Sequence, residues 1–309
     1  MFLAAALLNV QLHLQPDEAN AVLNILDKRA AHEEVVDADW QRLFTTEGYV
    51  RLQQREHSMK RKFENDDFKT FVTSDELLAK RGELHRVLDD WSRADLNEAA
   101  KRALAYLPSN AKIAATVYPV IKPQHNNFVF EGNAIFMTIE DQPPERFEAI
   151  IAHELHHIGF DSACGGHDDT PLINWITAFG EGFATLAAGG DHDPERMMKS
   201  DVDAAFNEGL RNYDRNFDEL QKFFLDFVDG RLTGDAVRDR GFQFFGFVGP
   251  WYTVGWKMAV TIEHKLGRKA LIDAMCDPRT LFATYNKAAG PDLPKWDERL
   301  IRAVTKPSS

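Results

Sequence analysis

The sequence predicts a mainly α-helical protein with a small β-meander, an α+β fold, and three observations carry that expectation. Apolar residues recur at i, i+3, i+4 and i+7 over most of the 309 residues. Apart from the apolar start of the chain, strand-like runs are confined to residues 112–140. Glycine, proline and aspartate punctuate the helical stretches, with no internal repeat and no low-complexity tract. A composition 44% hydrophobic and 27% charged suits a globular chain with a sizeable core. The reading is of one domain over 1–309: a helical scaffold at 1–108, the sheet and its following helices at 109–190, and a helical C-terminal lobe at 191–309.

Taken in order, Met1–Leu8 reads as a first strand or the clipped remnant of a signal segment, since it is apolar but has no basic residue ahead of it. Asp17, behind Pro16, is the N-cap candidate of a helix whose stripe is Ala19, Val22, Leu23, Leu26 and Ala30. Further helices are expected at about 38–45, 48–64, 74–91 and 95–107, the last stopped by Pro108. Residues 112–121, 127–131 and 134–140 read as three strands of a meander, with Gly132-Asn133 as a tight turn. Pro119 lacks an N–H and therefore suggests an edge or a bulge. A helix is expected from Glu145 to Phe160, and another from Pro171, capped by Thr170, to Gly189-Gly190. The remaining helices are placed at about 201–229, 251–266, 268–276, 279–288 and 295–304, and Phe242, Phe244, Phe245 and Phe247 are assigned to the core.

The formal net charge of −12 and the lack of any concentrated Lys/Arg segment exclude a phosphate-tracking surface, so nucleic acid is not an expected partner. No run is long and apolar enough for a membrane span. The two cysteines, Cys164 and Cys276, exclude a disulfide framework and a thiolate zinc cluster. Base rates favour two free thiols, with a single bridge between them left open.

The chemistry concentrates at His153-Glu154-Leu155-His156-His157. Residues four apart share one helix face about 6 Å apart along the axis, so His153 and His157 can aim both imidazoles at one zinc ion. Glu154, beside them, would reach a water on the ion, where a general base is needed. A catalytic zinc takes a third protein ligand and keeps one open position. Candidates are Asp161, His167, Asp168 and Glu181. The spacing that would use the loop fails, because Phe160 and Ala163 stand where a Gly and a His or Asp are required. Glu181 is preferred because it lies in Ala178-Phe179-Gly180-Glu181-Gly182-Phe183-Ala184, where an unpaired carboxylate would be costly to bury.

His153-Glu154-x-x-His157 followed by Gly180-Glu181-Gly182-Phe183-Ala184 resembles the gluzincin peptidases, whose third zinc ligand is the Glu of an Asn-Glu-Gly-x-Ala segment. Here Gly180 replaces the Asn, and 23 residues separate His157 from Glu181, more than is usual in the aminopeptidase branch. Trp251-Tyr252-Thr253-Val254-Gly255 is similar to the Tyr-x-x-Gly segment of that branch. The resemblance implies a zincin-like fold, with the HExxH helix behind a short sheet, and Tyr252 as hydrogen-bond donor to the oxyanion. A phenol of pKa about 10 stays protonated at neutral pH, as that role requires. Over about residues 100–290, Tyr106-Leu107-Pro108, Asn126-Asn127-Phe128-Val129-Phe130 and the segments above also resemble an uncharacterised family of bacterial zinc-dependent peptidases.

The expected activity is zinc-dependent hydrolysis of peptide bonds, with a peptide or protein as partner, one Zn2+ on His153, His157 and Glu181, and Glu154 and Tyr252 as catalytic groups. The rival reading is a zinc-stabilised binding protein in which His167 or Asp168 closes the coordination sphere. His156 lies off the ligand face, as a neighbour of the site or a plain helix residue, and Asp161 is placed to accept the outer N–H of a ligand histidine. Asp191-His192-Asp193 reads as a solvated turn. In gluzincin-like folds an exposed edge strand pairs with substrate, and 134–140 is the candidate. The aminopeptidase Gly-x-Met-Glu-Asn segment is missing, which favours internal cleavage.

Overall fold

The computed structural model describes residues 9–124, 126–140, 144–165, 170–190 and 201–305. The chain is mainly helical, with one four-stranded sheet, in agreement with the expected α+β class. It divides into two compact units, residues 1–100 with 113–158, and residues 101–112 with 159–309.

The first unit holds β1 (Val10–Leu14), α1 (Asp17–Ala30), α2 (Asp37–Phe44), α3 (Glu47–Ser58), α4 (Asn65–Val72), α5 (Asp75–Ala79) and α6 (Arg81–Ser92). The first residues of α7 (Leu96–Leu104), then β2 (Ile113–Val120), β3 (Phe128–Phe130), β4 (Ala134–Thr138) and most of α8 (Pro144–Cys164) complete it. Of the apolar stripe of α1, Ala19, Val22 and Leu26 are fully buried and Leu23 nearly so, while Ala30, the last residue of the helix, is exposed. Asp17 is not the cap of that helix. Pro16 holds the cap position, and the Asp17 carboxylate accepts the backbone N–H of Glu18 and, across 30 residues, that of Glu47 at 2.8 Å, so it serves the start of α3.

The sheet corrects the expected meander. Its order is β1-β2-β4-β3, with β1 parallel to β2, β2 parallel to β4, and β3 antiparallel to β4. The chain runs from β2 to the far edge and turns back at Gly132 (φ +71°) and Asn133 (φ +58°) to insert β4 between its neighbours. All five residues of β4 are buried, and such a continuous apolar run needs cover on both faces. Residues 134–138 are therefore interior. The edges are β1 and β3, and Phe128-Val129-Phe130 shows the half-exposed alternation of an edge.

Pro119 likewise sits in a strand paired on both sides, contrary to expectation. Val117 faces β1, accepting the N–H of Gln15 at 2.8 Å, while Val120 faces β4, accepting the N–H of Ile139 at 2.9 Å. By alternation Pro119 faces the β1 side, where β1 has already ended at Leu14, so no ladder bond is lost. Two residues on, on that same side, Ile121 N–H donates to buried Glu18 at 2.9 Å.

Two expected helices differ because weakly apolar segments carry little periodic signal. The expected helix 48–64 stops at Ser58 before Lys60 (φ +56°), leaving room for α4, and 74–91 is divided between α5 and α6. Trp91 of α6 stacks on Phe147 of α8 at 4.3 Å and 15°, both fully buried, which anchors the front of the motif helix.

The second unit contains the end of α8, then α9 (Pro171–Ile176), a 3₁₀ turn at Thr177–Phe179, α10 (Gly180–Gly189), α11 (Asp201–Arg211) and α12 (Tyr213–Val228). It continues with α13 (Asp235–Gln243), α14 (Pro250–Leu266), α15 (Arg268–Cys276), α16 (Pro278–Ala288) and α17 (Glu298–Thr305). Thr170 caps α9 through Ile173 N–H, with Pro171 at the first position, as the sequence predicts. An aromatic core joins Phe179, Phe217, Phe224, Trp251, Phe282 and Trp296, with Phe217 and Phe282 each 4.2 Å from Trp296. The Phe-rich run is split. Phe244 is buried, but Phe242 and Phe247 are 59% and 66% exposed, a correction to the core assignment. A disulfide joins Cys164, at the end of α8, to Cys276, at the end of α15, in place of the expected free thiols.

Candidate metal centre

The motif helix α8 buries Phe147, Ile151, Ala152, Leu155 and Ile158 on one side. That burial fixes its rotation, and with it the directions of the intervening residues. His153 and His157, one turn apart, are half-buried. Their Nε2 atoms lie 3.1 Å apart and their rings 4.8 Å apart at 76°. Two imidazole nitrogens at this distance can both face one cation. Glu154 is half-buried beside them, whereas His156 is 1% exposed, its ring 6.4 Å from that of His157. His156 thus belongs to the packed side of the helix, which places it away from plain surface.

Glu181 is the second residue of α10, which follows directly on the 3₁₀ turn. It is half-buried among buried Gly182, Phe183 and Ala184, the apolar setting expected for it. One ligand atom each from His153, His157 and Glu181 lie within 4.8 Å of one another. Among the described residues no other three His, Cys, Asp or Glu side chains come together in this way. Zinc bonds of about 2.1 Å at tetrahedral angles put ligand atoms about 3.4 Å apart. The histidine nitrogens meet that spacing within a few tenths of an ångström, and a two-imidazole, one-carboxylate donor set suits zinc. These residues fit the ion.

Tyr252 is the third residue of α14, half-buried, with its N–H donated to Gly249 O at 3.0 Å. Its neighbours are fixed: Trp251 donates Nε1–H to Gly241 O at 2.9 Å, and Trp256 donates Nε1–H to Gly190 O at 3.3 Å. The two motif glycines explain how the Tyr252 and Glu181 helices meet. A Cβ on Gly182 would strike Trp256 N and come within 2.5 Å of Gly255 Cα, and one on Gly255 would lie 2.8 Å from Phe179 O and 3.1 Å from Gly182 Cα. Helices α10 and α14 therefore cross backbone to backbone at Gly182 and Gly255, one residue from Glu181 and three from Tyr252. Sequence reasoning missed this crossing, although a glycine inside each apolar helix was its signal.

Of the remaining candidates, Asp161 is exposed, and its backbone carbonyl accepts Gly165 N–H at 3.3 Å. His167, Asp168 and Asp191-His192-Asp193 lie outside the described residues. Among the described residues no helix is long and apolar enough to cross a membrane.

Comparison with protein families finds a match over residues 40–292 to the family described as "Putative zinc dependent peptidase (DUF5700)". No curated protein and no solved structure matches the chain.

Proposed function

Because the chain belongs to that zinc-dependent peptidase family, we propose that it hydrolyses peptide bonds with one zinc ion held by His153, His157 and Glu181. The grouping of those three ligand atoms within 4.8 Å carries this reading. When bound, zinc supplies a positive charge that polarises the scissile carbonyl and acidifies water.

The residues divide the remaining work by position. Glu154, one residue from His153 and three from His157 on the same helix, takes the proton from the attacking water and passes it to the leaving amine. Tyr252 donates its O–H to the oxygen on which negative charge develops, the role that the gluzincin resemblance implies. Glu181 supplies a negative ligand to balance the cation, and the contact of Gly182 with Gly255 keeps its helix in register with that of Tyr252. Substrate pairing by strand addition, if the reaction uses it, falls to β1 or β3, since β4 already has a partner on each edge.

The test is Glu154→Gln. The variant should retain one equivalent of zinc and the melting temperature of the parent, while peptide cleavage falls by a factor of at least about 100. Full cleavage by Glu154→Gln would refute the assignment of the base. Zinc binding without any cleavage by the parent chain would favour a metal-stabilised binding protein.

A further inference from the structure

The segment leading into the Tyr252 helix has two features for which the metal centre gives no account. The first is its backbone. Val248 has φ +57°, a region that a β-branched side chain rarely enters, and Gly246 has φ +44°. Gly249 has no room for a side chain, since a Cβ there would strike Phe244 O and lie 2.8 Å from Phe245 O. The turn is pinned by Gly249 N–H to Phe245 O (2.7 Å), Trp251 N–H to Phe244 O (3.3 Å) and Tyr252 N–H to Gly249 O (3.0 Å). An unfavourable conformation held by converging bonds persists where its surroundings over-determine it, and such places cluster at ligand clamps.

The second feature is what the turn displays. Phe247 is 66% exposed and has no ring partner among the described residues. Five residues earlier, Phe242, 59% exposed, meets Trp175 edge-on at 5.6 Å, and Trp175 stacks on buried Trp251 at 6.2 Å. An aromatic base therefore supports Phe242, and Phe247 stands on the turn that runs by chain and hydrogen bond into Tyr252. The chain's net charge of −12 disfavours an anionic lipid surface as the occupant.

We propose that Phe247, presented by the strained Gly246–Gly249 turn, is a specificity-determining residue that contacts a large apolar side chain of the peptide substrate. The proposal rests on the peptidase reading above, because it takes its occupant from the continuity of this turn with Tyr252. Peptides bearing Phe or Leu at one position near the scissile bond are the preferred class, and peptides with Ala at that position gain nothing from the contact.

The test uses the zinc-loaded full chain and its Phe247→Ala variant against peptide pairs that differ only by Phe or Ala at that position. Phe247→Ala should lower kcat/KM for the Phe peptide by about tenfold or more, leave the Ala peptide within about twofold, and keep the melting temperature. Val248→Gly, which suits the positive φ, should raise the melting temperature while weakening the same preference. An equal loss on both peptides, or no loss, overturns the proposal. Binding of the same peptides to the Glu154→Gln chain separates this result from a failure of the catalytic reading. Phe247-dependent binding without cleavage by the parent chain removes the catalytic reading and with it the specificity role of Phe247, whereas cleavage and binding that are both independent of Phe247 remove the proposal alone. Self-association that Phe247→Ala abolishes overturns the proposal in favour of a second copy as occupant.

Discussion

Gly182 and Gly255 touch backbone to backbone, so that neither has space for a methyl group. The two helices that carry Glu181 and Tyr252 are thereby locked together at a point next to both residues. A backbone contact is stiffer than a side-chain contact because no rotamer can relieve it.

Gly255→Ala should therefore cost about 1–3 kcal/mol of stability, and Gly182→Ala more, because its Cβ would come within 2.1 Å of Trp256 N whereas the nearest atom to a Cβ on Gly255 is Phe179 O at 2.8 Å. Denaturant unfolding checks the order. Gly180→Ala, where a Cβ meets nothing within 4 Å, should leave stability unchanged or slightly raised.

Glu18 is fully buried beneath the end of β2, and burial pushes its carboxyl up to about 8, partly offset by the hydrogen bond from Ile121 N–H. The folded state thus holds a proton that the unfolded chain releases near pH 4.5. Its contribution is complete below pH 4.5 and is lost as the pH rises toward 8. Glu18→Gln, which keeps an acceptor for Ile121, should flatten that decline and raise stability at pH 8 by on the order of 1–3 kcal/mol. Thermal melts of both proteins between pH 5 and 8 measure the difference.

The Cys164–Cys276 bridge spans 112 residues and ties the end of the motif helix to α15. Closing so long a loop in the unfolded chain gives a stabilisation of up to about 4–5 kcal/mol in the chain-entropy account. Reduction by thiols, or the double replacement by serine, should lower the melting temperature. An unchanged melt after complete reduction would show that the bridge contributes nothing.

Phe147→Ala should remove the stacking partner of Trp91 and cost about 3–5 kcal/mol. Phe242→Ala, at an exposed ring of similar size, should cost well under half of that in the same unfolding assay.

The sequence reveals the long helices, because stripes such as Ala19, Val22, Leu23 and Leu26 repeat a strong local signal. Strand order is different in kind: β2 and β4 are joined by a connection that carries the chain past its final neighbour, and local alternation does not encode that pairing. The full burial of Ala134–Thr138 is foreshadowed by its unbroken apolar run, which argues against an edge. In the candidate site, His153 and His157 follow from helical spacing alone. The relevance of Glu181 follows from an acid in apolar surroundings, but its approach to the histidines is a tertiary fact. Pairing of Cys164 with Cys276 is likewise tertiary, and compartment base rates point the wrong way.

The central claim is that Glu181 completes the ligand set begun by His153 and His157. Its most direct test is the equilibrium zinc affinity of the full chain compared with Glu181→Ala at pH 7. The account predicts one tight site per chain, weakened at least about tenfold by the substitution, since a carboxylate on the cation is lost. Equal zinc affinity in the two proteins would contradict it.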